Sequence, residues 1–308
     1  MPVAQSGGSM AGGEPPSFLP VCLDLKDNTA AEYVRKHCEV EIIEPGRGDF
    51  GRIADYIRFR YKSHPDADSS TFVSSISGEM IVRMAKIPQR FALLRYVGGD
   101  LSFQGAGSVL KQGGVVGVNT SKQTFVYPEE WFKGILSASA RHTMDELSTA
   151  VTSEKSPFRF RTFHEIENLV EGGIRKGSGA GFLMLALVDE RLRGLRLSQK
   201  LLSGVLGYYR DVVGVPYVFV YGRVPEICRD EAIYEEFKAG GGVSPVSLNR
   251  YVKQVLAEGR RDWGVSLHHQ AGARIICGLP NSVQDAESLN SGYLGIYDLG
   301  ELRAQGRI

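Results

Sequence analysis

The sequence predicts an α/β fold from three observations. Residues 182–188, FLMLALV, form an unbroken apolar run between Gly181 and Asp189, the pattern of a strand buried on both faces. The period then changes. Leu195, Leu202, Val205, Leu206, Tyr209 and Val213 recur at helical spacing, with Gln199, Lys200 and Arg210 among them for a wetter face. Residues 216–223, PYVFVYGR, supply the next buried strand. Strand, helix and strand in succession imply helices packed on a sheet.

The chain has 308 residues, enough for one large or two ordinary domains. Its formal net charge of +1 lacks the basic excess of a general nucleic-acid or membrane-surface binder, so neither partner is expected. Four cysteines, Cys22, Cys38, Cys228 and Cys277, are far apart with no C-x-x-C pair. That usage fits a reducing compartment, and a cytoplasmic location is expected. There is no stretch of about 18 apolar residues to span a bilayer. The N-terminus lacks a secretory signal. Residues 1–18 contain one acid, Glu14, and no arginine, which leaves an organelle transit peptide open.

Taken in order, residues 1–17 are a Gly/Ser/Pro segment with too little apolar surface to order itself. Residues 17–37 hold a short strand and a helix capped by Asn28. Residues 1–37 are therefore read as leader and extension, and 38–308 as the main domain. The first strand of that domain is 40–44. Asp49 opens a helix carrying Phe50, Ile53, Ile57 and Tyr61, and a second helical pattern over 72–84 ends before Pro88. Residues 91–97 read as a strand. The runs 108–112 and 115–120 flank Gly113-Gly114, a hairpin signal. A partly helical insertion over 123–156 either shapes a pocket, mediates a homodimer or is a surface helix. Residues 226–262 read as a solvated helical flap, with Ser247 as cap and Leu248, Tyr251, Val252 and Val255 on one face. The runs 273–279 and 292–299 form the closing strand pair.

Two glycine-rich stretches fall short of nucleotide motifs. Gly177-x-Gly179-x-Gly181 precedes a strand instead of opening a helix, and Lys111-Gln112-Gly113-Gly114 lacks the Gly-Lys-Ser/Thr ending of a P-loop. The stronger signal lies after residue 188. A helix that opens just past a strand leaves first-turn N–H groups unpaired with the positive end of its dipole behind them, which suits phosphate. Arg191, Arg193 and Arg196 crowd that turn.

Arg193-Gly194-Leu195-Arg196-Leu197-Ser198 resembles the pyrophosphate loop of the GNAT superfamily of acyl-CoA N-acyltransferases, whose pattern is Gln/Arg-x-x-Gly-x-Gly/Ala. Arg196 and Ser198 depart from it, standing where the pattern has glycines. A subset of GNAT domains, including ones fused to nitrilase-like amidohydrolases, is similar in having Arg at the first of these places, so Arg196 reads as a substitute charge contact. The resemblance implies a mixed, mostly antiparallel sheet splayed between its fourth and fifth strands and flanked by helices. Acetyl-CoA or another acyl-CoA is the implied cosubstrate, with pantetheine along Leu185, Ala186, Leu187 and Val188 and pyrophosphate on the loop. Gly117 falls where the family has a small residue.

Residues 267–273 stand in the place of the family's Phe-Tyr-x-x-x-Gly-Phe, with His268 on the tyrosine and Gly272 on the glycine. The resemblance covers 177–299, and 39–122 only in element order. It implies direct acyl transfer to an amine of a small-molecule acceptor. His268 then either protonates the departing thiolate or is a half-buried helix residue. Arg223 either faces the reaction centre or merely ends its strand. Glu165, Glu167 and Glu226 are candidate bases or ordinary surface carboxylates. No metal is expected, since adjacent His268 and His269 do not face one ligand sphere on a helix. Two other readings stay open: a catalytically degenerate CoA-binding or interaction module, and a GNAT-like malonyl decarboxylase or S-acyltransferase in which Arg223 meets a carboxylated acyl group.

Overall fold

The structure, a computed structural model, describes residues 21–23, 28–43, 51, 52, 55, 59, 89–103, 109–167, 169, 175–192, 194–258, 261–283 and 285–308. The expected leader, the helix over 72–84 and most of the helix opened by Asp49 lie outside the described residues. Strands β1 (Val21–Leu23), β4 (Leu101–Phe103) and β5 (Val109–Leu110) make a small sheet. The main sheet has the order β2-β3-β6-β7-β8-β10-β9. Its strands are β2 (Cys38–Ile43), β3 (Gln89–Tyr96), β6 (Val115–Thr124), β7 (Ala180–Val188), β8 (Tyr217–Arg223), β9 (Arg274–Leu279) and β10 (Gly292–Asp298).

Every neighbouring pair in the main sheet is antiparallel except β7 and β8, which run parallel. These are the fourth and fifth strands across the sheet, and here it splays as expected. Their register holds only for Gly181↔Val218, Phe182↔Phe219 and Leu183↔Val220. Beyond Leu183, β7 continues to Val188 paired with β6 alone. This mixed α/β sheet, flanked by helices, has the GNAT-like form.

Gly113-Gly114 does not close a hairpin. β5, before it, joins β4 in the small sheet, while β6, after it, pairs with β3. The dipeptide instead turns the chain beside β3, with the Gly113 N–H donating to the Tyr96 carbonyl and the Tyr96 N–H donating to the Gly114 carbonyl.

Each face of the sheet carries a core. On one lies the helix Leu197–Tyr208, whose last turn loosens into a π-helical segment, Tyr209–Val213, ended by Gly214 at φ 75°. Gly204 lets this helix approach β2, since a Cβ there would sit 2.7 Å from Val40 Cγ1. The helix Asn28–Lys36 joins the same core through Ala31 and Val34, so this part of the N-terminal extension packs with the main domain. On the other face, the helices Glu129–Ser139 and Met144–Thr152 bury Trp131, Phe132, Ile135 and Leu147 against an aromatic cluster that includes Phe182 and Phe219.

Two expectations are corrected here. The segment 123–156 is a layer of the core, not a surface helix, because Glu129, Glu130 and Lys133 on its wet side disguise the buried one. The helix Pro245–Glu258 is likewise no solvated flap: Leu248, Tyr251 and Val252 are buried in the first core. Its first turn is capped by Ser244, whose Oγ accepts from the Ser247 N–H at 3.2 Å, one turn earlier than the expected cap at Ser247.

Candidate functional site

The opening between β7 and β8 is built by a defect in β7. Thr120 pairs with Leu185 and Ser121 with Leu183, so Met184 is an extra residue that bulges the strand. Buried Asn119, on β6, takes up the displaced backbone by donating from Nδ2 to the Leu185 carbonyl at 2.7 Å. Its Oδ1 is buried without a hydrogen-bond partner. Past the bulge, Leu185, Ala186, Leu187 and Val188 are half-buried, whereas Ala180–Leu183 are fully buried between both neighbours. A strand has hydrogen-bonding groups on two edges. On the β8 side of 185–188 no strand pairs with them among the described residues. That leaves a row of backbone donors and acceptors for an extended ligand. Gly117 faces this end of β7, where a Cβ would lie 3.2 Å from the Leu187 carbonyl oxygen.

The chain then turns. The Asp189 N–H donates to the Val116 carbonyl, and its carboxylate accepts from the Arg191 N–H and from Arg191 Nε at 3.0 and 2.9 Å. Arg191 is therefore engaged by Asp189 and is no simple phosphate ligand. Arg193 lies outside the described residues. Gly194 takes φ 87°, and Arg196 precedes the helix with φ 55° and ψ 24°, a left-handed conformation that L-residues adopt at a cost. Arg196 thus holds a backbone conformation that glycine adopts without strain. Leu195 and Leu197 are buried anchors, and Ser198 is half-buried in the first helical turn.

The sequence-predicted catalytic residues each have a described place in the fold. His268 is buried in the helix Trp263–Gln270, and its Nδ1 lies 2.6 Å from Tyr297 Oη on β10. Burial pushes its pKa down to about 4, so it is neutral near pH 7. It sits as a packed core residue, more deeply buried than the half-buried alternative. Arg223 ends β8 but pairs with Asp285 at 3.2 Å and with Glu287 at 3.5 Å, partners drawn from the loop before β10. Glu226 forms an ion pair with Arg229 one turn on. Glu165 accepts from the Thr162 N–H, which holds its carboxyl below the usual range. Glu167 is the last residue of the short helix Phe163–Glu167.

Sequence reasoning missed Asp262. It is buried, caps the helix Trp263–Gln270 through the Val265 N–H at 3.0 Å, and accepts from the Glu226 N–H and Tyr251 Oη. Burial is the larger influence and raises its pKa. It ties the end of β8 to two helices. The signal for it was its place just before an apolar helical run.

No protein-family model matches the sequence, and no curated protein matches it. Solved structures do resemble it in fold. The malonyl-CoA decarboxylase from Rhodopseudomonas palustris is 12% identical at a TM-score of 0.53, over 89% of this chain and 59% of that one. The chain thus spans about 59% of the length of that enzyme. The loading GNATL domain of CurA from Lyngbya majuscula is 17% identical at a TM-score of 0.46, over 85% of this chain and 99% of that one. Arabidopsis thaliana NAA60, solved with acetyl-CoA, is 11% identical at 0.39, over 84% and 98%. At such identities the likeness speaks to the fold alone.

Proposed function

We propose that this chain binds an acyl-CoA, with acetyl-CoA the simplest case, and transfers the acyl group directly to an amine of a small-molecule acceptor. The observation that carries the reading is the loss of β7–β8 pairing after Leu183, with the half-buried stretch 185–188 leading through the turn 189–196 to the N-terminus of the helix Leu197–Tyr208. Pantetheine would add to the unpaired edge of β7, and the pyrophosphate would lie on the N–H groups of the turn 194–198. Arg193 and Arg196 would add charge contacts, as the resemblance to the nitrilase-fused subset suggests.

In the reaction, a neutral amine attacks the thioester carbon, and backbone N–H groups of 185–188 stabilise the oxyanion. The C–S bond then breaks, the CoA thiolate leaves, and the proton lost by the nitrogen passes to water. His268, neutral and held by Tyr297, takes no part in this scheme. The location we propose is the cytoplasm; among the described residues no helix is long and apolar enough to cross a membrane.

One observation favours a second reading, a CoA-binding module without acyl transfer: the catalytic candidates Arg223, Glu226 and Glu165 are each engaged by other groups. The ion pairs of Arg223 with Asp285 and Glu287 also count against its receiving a carboxylated acyl group. Following thiol release from acetyl-CoA with a panel of small primary amines separates the two. Amine-dependent release supports transfer, and binding without release supports the module.

A further inference from the structure

The helix Asn28–Lys36 is far in sequence from the turn that follows β7, yet two hydrogen bonds join them in opposite directions. Arg35 Nε donates to the Leu195 carbonyl at 3.1 Å, and Lys200 Nζ donates to the Arg35 carbonyl at 2.8 Å. The last carbonyls of a helix have no partner within it, and a lysine is favoured there by the negative end of the dipole. Lys200, near the start of one helix, thus caps the end of another. Ala31 and Val34 share a buried core with Leu195, Leu197 and Leu201. Just past the helix, the His37 carbonyl accepts from the Val97 N–H at 2.7 Å, which ties this end of the helix to the sheet.

The Arg35 bond lands at a strained place. The peptide that carries the Leu195 carbonyl also carries the Arg196 N–H, and in a trans peptide the two point opposite ways. Holding the carbonyl toward Arg35 therefore turns the Arg196 N–H away from it. That N–H has no hydrogen-bond partner among the described residues, and no side chain caps the helix that follows. Arg196 itself has φ 55°, a conformation that persists in an L-residue where its neighbours over-determine it. Leu195 and Leu197, buried on either side, and the Arg35 bond supply that constraint.

We propose that the helix Asn28–Lys36 is a latch on the turn 194–198, with Arg35 a positioning residue that sets the Leu195–Arg196 peptide in the orientation an acyl-CoA pyrophosphate requires. The inference rests on the acyl-CoA reading above and adds to it an element outside the strand, turn and helix. Arg35 acts through the backbone and not as a ligand of the phosphates. With the latch released, only the fraction of molecules that keeps the turn in shape binds, and apparent affinity falls by that fraction. By reciprocity, a ligand on the turn tightens the latch.

Hydrogen exchange of the full chain and calorimetric titration with acetyl-CoA, on the wild type, Arg35→Met and Arg35→Lys, test this. Methionine keeps an apolar stem without the donor, and lysine keeps a donor. In the ligand-free chain Arg35→Met is expected to speed exchange at 194–200 by about tenfold and to raise the Kd for acetyl-CoA by about tenfold, the effect of one lost charge-assisted bond. Arg35→Lys is expected to stay within about threefold of the wild type in both. In the wild type, acetyl-CoA is expected to slow exchange at 28–36. Weaker binding by Arg35→Met with unchanged exchange in the free chain would mean a direct charge contact and overturn the latch, as would faster exchange with unchanged affinity. No change in either would overturn it and leave the acyl-CoA reading standing. If Arg35→Met does not fold, Lys200→Met breaks the returning bond: faster exchange at both 28–36 and 194–200 supports the latch, and unchanged exchange overturns it. No binding of acetyl-CoA by the wild type would overturn the acyl-CoA reading and the coupling with it.

Discussion

The imidazole Nδ1 of His268 lies 2.6 Å from the hydroxyl of Tyr297, inside the core formed by β10 and the helix Trp263–Gln270. Burial lowers the folded-state pKa of the imidazole to about 4, against about 6.5 in the unfolded chain. The unfolded state therefore binds the proton first. Stability from this group is complete above pH about 6.5 and falls as pH drops towards 4, by about 3 kcal/mol at most. Urea denaturation of the wild type and His268→Gln at pH 7.0, 5.5 and 4.5 checks this. The variant should lose less stability on acidification, whereas parallel curves would contradict the buried neutral imidazole.

Arg196 holds φ 55° directly before the helix. Replacing it with glycine removes the left-handed strain and should stabilise the fold by about 1 kcal/mol, seen as a rise in Tm. The same variant should bind acetyl-CoA more weakly, because a cation leaves the turn. Tighter binding would show that the side chain obstructs the phosphates instead of contacting them.

Asn119 supports the bulge in β7 through the Leu185 carbonyl. Aspartate has the same shape but cannot donate when ionised, so Asn119→Asp sets two acceptors against each other in a buried place. Its cost should exceed that of Asn119→Leu, which removes an unpaired oxygen as well as the donor; each loss is of the order of 1–3 kcal/mol. Chemical denaturation of both variants decides, and Asn119→Leu as the more damaging change would contradict the role.

Gly222 sits against the ring of Tyr293, and a Cβ would run into it. Tyr293 is fully buried and donates its hydroxyl to the Gly264 carbonyl at 2.7 Å, so it has no space to retreat. Gly222→Ala should cost about 1–3 kcal/mol by overpacking. A neutral result in thermal unfolding would mean that β8 and β10 separate more easily than their register implies.

The elements nearest the proposed site were the most legible. Residues 182–188 are apolar on both faces because β7 is the central strand of seven, and Gly214 ends the following helix by its backbone alone. Other features were hidden for physical reasons. Glu129, Glu130 and Lys133 coat the wet side of a helix whose buried face is Trp131, Phe132 and Ile135, so the charge pattern suggested a surface element. Arg223 looked available because its partner Asp285 comes from the far side of a long excursion. The depth of His268 depends on Tyr297, which local spacing does not reveal. That β5 pairs with β4 and not β6 is a tertiary choice that Gly113-Gly114 leaves undetermined.

The most direct test of the central claim is amide hydrogen exchange of the full chain with and without acetyl-CoA. The account predicts slowed exchange at 184–188 and at 194–200, the open edge of β7 and the turn beyond it, with little change across β9 and β10. Unchanged exchange at both segments under saturating acetyl-CoA, or protection confined to other parts of the chain, would contradict it.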